Sequence, residues 1–162
     1  MTTIERKFNA LAAFVLAEND ESRDTARKAL EAIMRAVAVP ETSPTSDQED
    51  IVHEFLMEIG ADPVLCGYKY VVYGLLQAVM HPELTDNITY GFYPLVAAKF
   101  DTTATRAERS IRHTIERIWE CGDIDTLTRY FGVYTSFKNG KPTNGSFIAR
   151  SALILKKRLA NK

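Results

Sequence analysis

Five basic side chains recur at helical spacing in the segment that reads YPLVAAKFDTTATRAERSIRHTIERIW (Tyr93–Trp119). Arginine matters here because its planar guanidinium pairs with guanine edges and with phosphates through two parallel hydrogen bonds. A helix turns about 100° per residue, so these side chains fall within about 80° of Arg109. The basic residues are Arg106, Arg109, Arg112, His113 and Arg117. The spacing predicts a helix with one basic stripe, the pattern of a nucleic-acid-binding helix.

The opposite side of this helix carries small and apolar residues, as a helix packed on a core does. These residues are Ala104, Ala107, Ile111, Thr114, Ile115 and Ile118. Thr102 and Thr103 are alternative N-cap residues, and Thr105 with Glu108 has capping-box spacing as a later alternative. The sequence therefore predicts a two-faced helix with a marked start.

A second, shorter helix is predicted just before it. Tyr93, Val96, Ala97 and Phe100 have helical spacing, and Pro94 suits a first turn. A short helix, a tight turn and a longer basic helix predict a helix-turn-helix whose second helix lies in the DNA major groove.

The charge pattern also fits an ordinary solvated helix face. Glu108 and Glu116 lie four residues from Arg112, a spacing that allows ion pairs along the helix. Charge alone therefore leaves both interpretations open, and the helix-turn-helix context favours DNA.

The bulk composition is that of a soluble globular protein. The chain has 162 residues with 46% hydrophobic and 25% charged side chains, enough for one domain with a core and an extension. No apolar run approaches 18 residues, so no membrane span is expected. The N-terminal MTTIERKF carries charges where a signal peptide needs its apolar region, so we expect a cytoplasmic protein.

The sequence lacks the clusters that metal and catalytic sites need. Cys66 and Cys121 stand apart and predict reduced, buried thiols, and the three histidines are scattered. No glycine-rich phosphate loop, nucleophile elbow or spaced carboxylate pair occurs. We therefore expect no enzyme activity, no metal and no cofactor.

Charge is distributed unevenly although the net charge is −1. Residues 1–50 hold 6 Lys+Arg and 10 Asp+Glu, whereas residues 51–162 hold 14 and 11. After Asp125 there are 8 basic residues and no acidic side chain. Residues 1–50 are thus acidic and residues 51–162 basic, and a basic domain suits a partner that carries phosphates.

Three regions are predicted along the chain. Residues 3–18 and 22–38 have helical periodicity and predict an N-terminal helical hairpin, which we assign to 1–39 and take as acidic. Residues 40–50, PETSPTSDQED, are rich in proline, hydroxyl and acidic side chains and predict an exposed linker. Residues 51–162 are the predicted DNA-binding domain.

This domain is predicted to be all-α. A short amphipathic helix over 51–59 should stop at Gly60. The segment Tyr68–Met80 could begin as a strand by its β-branched and aromatic content, but its length and apolar spacing favour a helix. Further helices are predicted over 124–131 and from about 144 to 159.

The region from about Ile51 to Leu159 resembles the C-terminal effector domain of the sporulation initiation response regulator, the master regulator of endospore formation. The match is collinear and covers about two-thirds of the chain. Five stretches carry it, the last being the most specific: EIGADPVLCGYKYV (Glu58–Val71), YPLVAAKFDTTATRAERSIRHTIERIW (Tyr93–Trp119), GDIDTL (Gly122–Leu127), FG (Phe131–Gly132) and GKPTNGSFIA (Gly140–Ala149).

The resemblance implies a six-helix, all-α DNA-binding domain with a central helix-turn-helix. Its second helix, here 104–120, would read short, G·C-centred sites in the major groove. The residues that this places at the DNA are Thr105, Arg106, Glu108, Arg109, Arg112 and His113.

Two of these residues are expected at bases. Arg109 and Arg112 would pair with guanine O6 and N7. Phosphate contacts are expected from other residues of the stripe and from basic residues outside it. These are Thr105, Arg106, His113, Lys138, Lys141 and the lysines of the C-terminal tail.

Two features depart from the family pattern. Ala104 stands where the family often has proline, which is a minor change. The regulator also carries an α/β receiver domain with a phosphorylated aspartate, whereas about 50 residues precede the matching region here. Control by aspartate phosphorylation and a role in sporulation are therefore not carried over to this chain.

The sequence thus predicts a sequence-specific transcription regulator whose partner is double-stranded DNA. Helix-turn-helix proteins commonly bind paired half-sites as dimers, so we expect a homodimer formed through the N-terminal hairpin. The alternative is an interaction or antagonist protein that does not bind DNA and acts through its acidic N-terminal helical hairpin. The arginines retained on the stripe favour the regulator.

Overall fold

Six α-helices and two shorter helical turns make up the part of the chain that the structure, a computed structural model, describes: residues 44–135 and 140–161. The α-helices are α1 (Ser46–Glu58), α2 (Cys66–Met80), α3 (Tyr93–Lys99), α4 (Ala104–Cys121), α5 (Ile124–Thr135) and α6 (Asn144–Ala160). A 3-10 turn, Pro82–Thr85, and a π turn, Ile88–Phe92, connect α2 to α3. These residues contain no strand, so the predicted six-helix, all-α fold is confirmed.

Helix α2 is the central element, and it packs against α1, α4 and α6. Its buried residues include Tyr68, Val71, Leu75 and Ala78. Because neighbours cover α2 on several sides, its sequence is apolar on most faces and has little helical periodicity. This explains why its first half also fitted a strand. The prediction of a helix is confirmed, and the helix starts at Cys66.

Helices α3 and α4 form the predicted helix-turn-helix. Pro94 lies in the first turn of α3, as expected. In the turn, the Thr102 N–H donates to the Ala97 carbonyl at 3.0 Å, and Asp101 adopts a positive φ of 52°. A short polar residue tolerates this left-handed conformation better than most, which allows the chain to reverse within a few residues.

Thr103 is the N-cap of α4, one of the alternatives that the sequence left open. Its hydroxyl oxygen accepts the Arg106 N–H at 3.2 Å. An N-cap hydroxyl satisfies one of the unpaired N–H groups at a helix start and contributes about 1 kcal/mol. The start of the basic helix is therefore fixed by its local sequence.

Three aromatic rings fix the far end of α4. Trp119 lies edge-on to Phe131 of α5 and Phe147 of α6, with centroid distances of 5.1 and 6.1 Å. Phe131 and Phe147 stack on each other at 5.4 Å. Such pairs contribute about 0.5–1.5 kcal/mol beyond their buried area. The cluster joins α4, α5 and α6.

Helix α5 differs from the predicted helix over 124–131. Its backbone leaves helical geometry at Phe131, with φ −126° and ψ 25°, and then resumes to Thr135. The helix is therefore kinked at Phe131, where the sequence predicted its end, and the prediction that it stops there was wrong.

Helix α1 begins earlier than predicted. The Thr45 hydroxyl oxygen accepts the Gln48 N–H at 3.4 Å, and the Gln48 side chain accepts the Thr45 N–H at 3.1 Å. This capping box satisfies two N–H groups at the helix start. The last five residues of the predicted linker, 40–50, are therefore helical, and that part of the prediction was wrong. The other end is as expected, because Gly60 adopts a positive φ of 86° there.

The predicted hairpin, 1–39, lies outside the described residues. The prediction that this hairpin is acidic was wrong, because residues 1–39 hold six acidic and six basic side chains. The acidic excess of the first 50 residues comes from Glu41, Asp47, Glu49 and Asp50. The last three lie on the first helical residues of α1, where carboxylates suit the positive end of the helix dipole.

Candidate nucleic-acid interface

The basic stripe of α4 lies on its solvent side. The exposed residues are Thr105, Arg106, Arg109, Arg112, His113 and Arg117. The opposite side is packed in the core, with exposure of at most 1% at Ala107, Ile111, Thr114, Ile115 and Ile118. Ala104, expected on the core side, is half-buried. The predicted two-faced helix is confirmed.

Helix α4 lies very close to α2 at a glycine. A Cβ on Gly67 would stand 2.1 Å from the Ser110 carbonyl oxygen and 2.4 Å from Thr114 Oγ1. No side chain fits at such distances, so only glycine allows this crossing. The buried Thr114 hydroxyl donates to the Ser110 carbonyl at 3.0 Å and is thereby satisfied. Gly67 was not predicted as a site residue; its one sequence signal is its place in EIGADPVLCGYKYV.

Two carboxylates interrupt the basic stripe. Glu108 pairs with Arg112 one turn further along α4, as the i,i+4 alternative anticipated. Glu116 pairs instead with Lys141, which lies just before α6. Chiefly through this hydrogen bond, the Lys141 ammonium lowers the pKa of the Glu116 carboxyl. Each pair places a negative charge next to a cation that was expected at DNA.

Two arginines at the middle and start of the stripe keep their donors available. Within residues 44–135 and 140–161, Arg106 and Arg109 make no ion pair. Both are exposed, and they lie on the same side of α4 as His113. Lys138, also expected at phosphates, lies outside the described residues.

An open groove of about 820 Å³ runs between the first half of α4 and the start of α6. Both ion pairs line it, together with Thr89 from the π turn and Thr143 from the segment before α6. Thr143 is the N-cap of α6, and its hydroxyl oxygen accepts the Ser146 N–H at 3.2 Å. The positive end of the α6 dipole therefore lies beside Lys141, and the groove extends the polar surface of α4 sideways.

Asn144, the first residue of α6, connects both helices of the helix-turn-helix. Its Nδ2 donates to the Tyr93 hydroxyl at 2.9 Å and to the Glu108 backbone carbonyl at 3.3 Å. A carbonyl can only accept, so the amide nitrogen must face Glu108. Tyr93 is the first residue of α3 and is 7% exposed, and this burial raises the pKa of its hydroxyl. The sequence indicated Asn144 only as the start of a helix and as part of GKPTNGSFIA.

The described residues offer no site for a metal ion. They contain no group of three or more His, Cys, Asp or Glu side chains that could hold one. Cys66 and Cys121 are free and exposed, so the expectation that they are buried was wrong. They are the first residue of α2 and the last of α4, where helix ends meet solvent. No helix in these residues is both long and apolar enough to cross a membrane.

One comparison with known proteins bears on this surface. The family model of the C-terminal domain of the sporulation initiation factor Spo0A matches residues 52–155. The match covers more than half of the chain. It begins in α1, ends in α6, and includes the whole of α4 and the groove beside it.

Proposed function

The chain belongs to the family of Spo0A C-terminal domains, and we propose that it is a sequence-specific transcription regulator that reads the major groove with helix 104–120. The family domain is a DNA-binding effector domain of sporulation regulators. DNA binding in general follows from membership, and the family domain is regulatory and not catalytic. What we propose beyond this is that binding is sequence-specific, that helix 104–120 reads the DNA, and that particular side chains make the contacts.

The exposed basic face of α4 carries the proposal. A helix about 10–12 Å in diameter fits a major groove about 12 Å wide. Arg109 lies at the middle of the stripe and is exposed without an ion pair in the described residues. We assign it to a guanine, where its two parallel donors meet O6 and N7.

The Glu108–Arg112 pair supports a second base contact. The carboxylate holds the guanidinium in one orientation before DNA arrives, which reduces the side-chain entropy lost on binding. Arginine donates to guanine, and glutamate accepts from the cytosine amino group. We therefore assign the pair to one G·C base pair.

Residues around this centre are assigned to the DNA backbone. Thr105, Arg106 and His113 lie on the exposed side of α4, and Lys141 borders the groove. Phosphate contacts set the register of a protein on the duplex without reading its sequence. Lys138 is assigned the same role from the sequence alone.

Selection from random duplex DNA, with the full chain as bait, tests the proposal. Fluorescence anisotropy then compares the selected duplex with a scrambled duplex of equal composition at two salt concentrations. We expect the selected duplex to bind at least about 10³-fold more tightly. Log K should fall with log salt by about 0.9 per neutralised phosphate.

Arg109→Ala should remove the preference for the selected duplex. Arg129→Ala is the matched control, because it removes the same charge from α5 and leaves α4 intact. No enrichment and no salt dependence would exclude DNA reading. The interaction protein acting through residues 1–39 would then be the better account.

A further inference from the structure

We propose that Asn144 is a positioning residue for sequence reading, because its side-chain amide sets the orientation of α4 relative to α3. The inference rests on the proposed function, since it concerns what holds the reading helix in place. Asn144 is on neither helix of the helix-turn-helix, and no DNA contact is assigned to it.

The amide reaches both helices at positions that matter for reading. The Tyr93 hydroxyl, 2.9 Å away, belongs to the first residue of α3. The Glu108 carbonyl, 3.3 Å away, belongs to the residue directly before Arg109. One rigid, planar amide therefore joins the start of α3 to the turn of α4 that carries the proposed base contacts.

Asn144 is itself anchored from the core side. Phe147 and Ile148, one turn later, are completely buried. The amide thus connects a fixed point on α6 with the exposed half of the helix-turn-helix.

The packing of α4 does not depend on this amide. Ala107 and Ile111 remain completely buried under the helix, and Gly67 holds its backbone against α2. Removing the amide should leave α4 folded on the core, but without the link that fixes its first turns relative to α3. Bidentate base contacts need placement within about 0.5 Å, whereas phosphate contacts by long side chains tolerate more. The loss should therefore fall on specificity.

Two variants test the inference in the full chain. Asn144→Ala removes both hydrogen bonds, and Tyr93→Phe removes only the acceptor on α3. We expect Asn144→Ala to weaken binding to the selected duplex about tenfold or more, which is the loss of one good base contact. Binding to the scrambled duplex should stay within about twofold, because its phosphate contacts remain. Tyr93→Phe should lower the same ratio less, and should add nothing in the Asn144→Ala background.

Thr143→Ala is the matched control. It removes the α6 cap and lowers stability, but leaves the amide in place, so its ratio of selected to scrambled affinity should match that of the unaltered chain. The inference is overturned if Asn144→Ala keeps this ratio, either because neither affinity changes or because both fall together. It is also overturned if Thr143→Ala lowers the ratio equally. If the unaltered chain does not discriminate between the duplexes, the proposed function fails first and takes the inference with it.

Discussion

Gly67 and Ser110 meet backbone to backbone, so closely that a Cβ on the glycine would lie 2.1 Å from the serine carbonyl oxygen. Ser110 directly follows Arg109. The crossing of α2 and α4 therefore lies behind the middle of the basic stripe and determines how far the stripe stands out from the core.

Gly67→Ala should destabilise the domain, because the added methyl group must push α2 and α4 apart. We expect the free energy of unfolding to fall by about 1–3 kcal/mol, the usual cost of overpacking. Urea titration measures it. Gly145→Ala is the control, because its Cβ would meet Ile88 at an ordinary 3.8 Å and alanine favours a helix. Equal effects in both variants would show that the crossing has room for a side chain.

Arg109→Ala and Arg112→Ala should each cost about 1–3 kcal/mol of affinity for the selected duplex and flatten its preference at one base pair. Arg112→Ala should cost more, because it also removes the partner that holds the Glu108 carboxylate in place. Anisotropy titrations against single-base variants of the duplex measure both effects. Equal losses on selected and scrambled DNA would reassign the two arginines to phosphates.

Glu116 and Lys141 form an ion pair, and substitutions of the two residues should have opposite effects on DNA binding. Lys141→Ala should reduce the slope of log K against log salt by about 0.9 without changing the preferred sequence. Glu116→Gln should increase affinity for scrambled DNA, because it removes a negative charge and releases the lysine. Glu120→Gln, which breaks the Arg117 pair at the end of α4, is the control. A drop in affinity with Glu116→Gln would mean that the pair is needed intact on DNA.

Glu58 predicts a dependence of stability on pH. Its carboxylate accepts from Arg158 at 2.6 Å and from Tyr130 at 2.7 Å, and the Arg158 hydrogen bond is the main cause that lowers its pKa. A lowered pKa in the folded state adds stability above the unfolded-state pKa of about 4.3, and this stability is lost as pH falls through the folded-state value.

Glu58→Gln should therefore be less stable than the unaltered chain at pH 7, by about 1 kcal/mol or less for a partly exposed pair. The difference should vanish at acid pH, below both pKa values. Urea titrations at the two pH values measure it, with the exposed Glu54→Gln on the same helix as control. A difference that persists unchanged in acid would assign it to packing.

Truncation tests the expected self-association through residues 1–39. A fragment of residues 44–162 keeps the Thr45 capping box, whereas one starting at residue 49 loses the cap and the first turn of α1. We expect 44–162 to fold, to bind a single half-site, and to run as a monomer in light scattering. The full chain should dimerise and bind paired half-sites cooperatively. A full chain that stays monomeric at high concentration and on DNA would contradict this role for the hairpin.

The two faces of α4 could be predicted because burial there follows the helical repeat, and so could its cap, which is a local contact. The partners of Glu116 and Asn144 could not, because Lys141 and Tyr93 are distant in the sequence and meet only through the packing of α6. The π turn before α3 was not predicted from the sequence either, because it also depends on a contact between residues that are distant in the sequence. It places the Phe92 ring against Gly74, where a Cβ would lie 2.3 Å from a ring carbon, and neither residue signals the other.

Helix α2, packed between α1, α4 and α6, also bears on how the domain opens. A helix covered in this way exchanges its amide hydrogens chiefly when the whole domain unfolds. Because α4, the proposed reading helix, touches it backbone to backbone, α4 belongs to the same cooperative unit. DNA then meets a surface that is already folded, so binding by these residues should proceed without the large negative heat-capacity change that accompanies coupled folding.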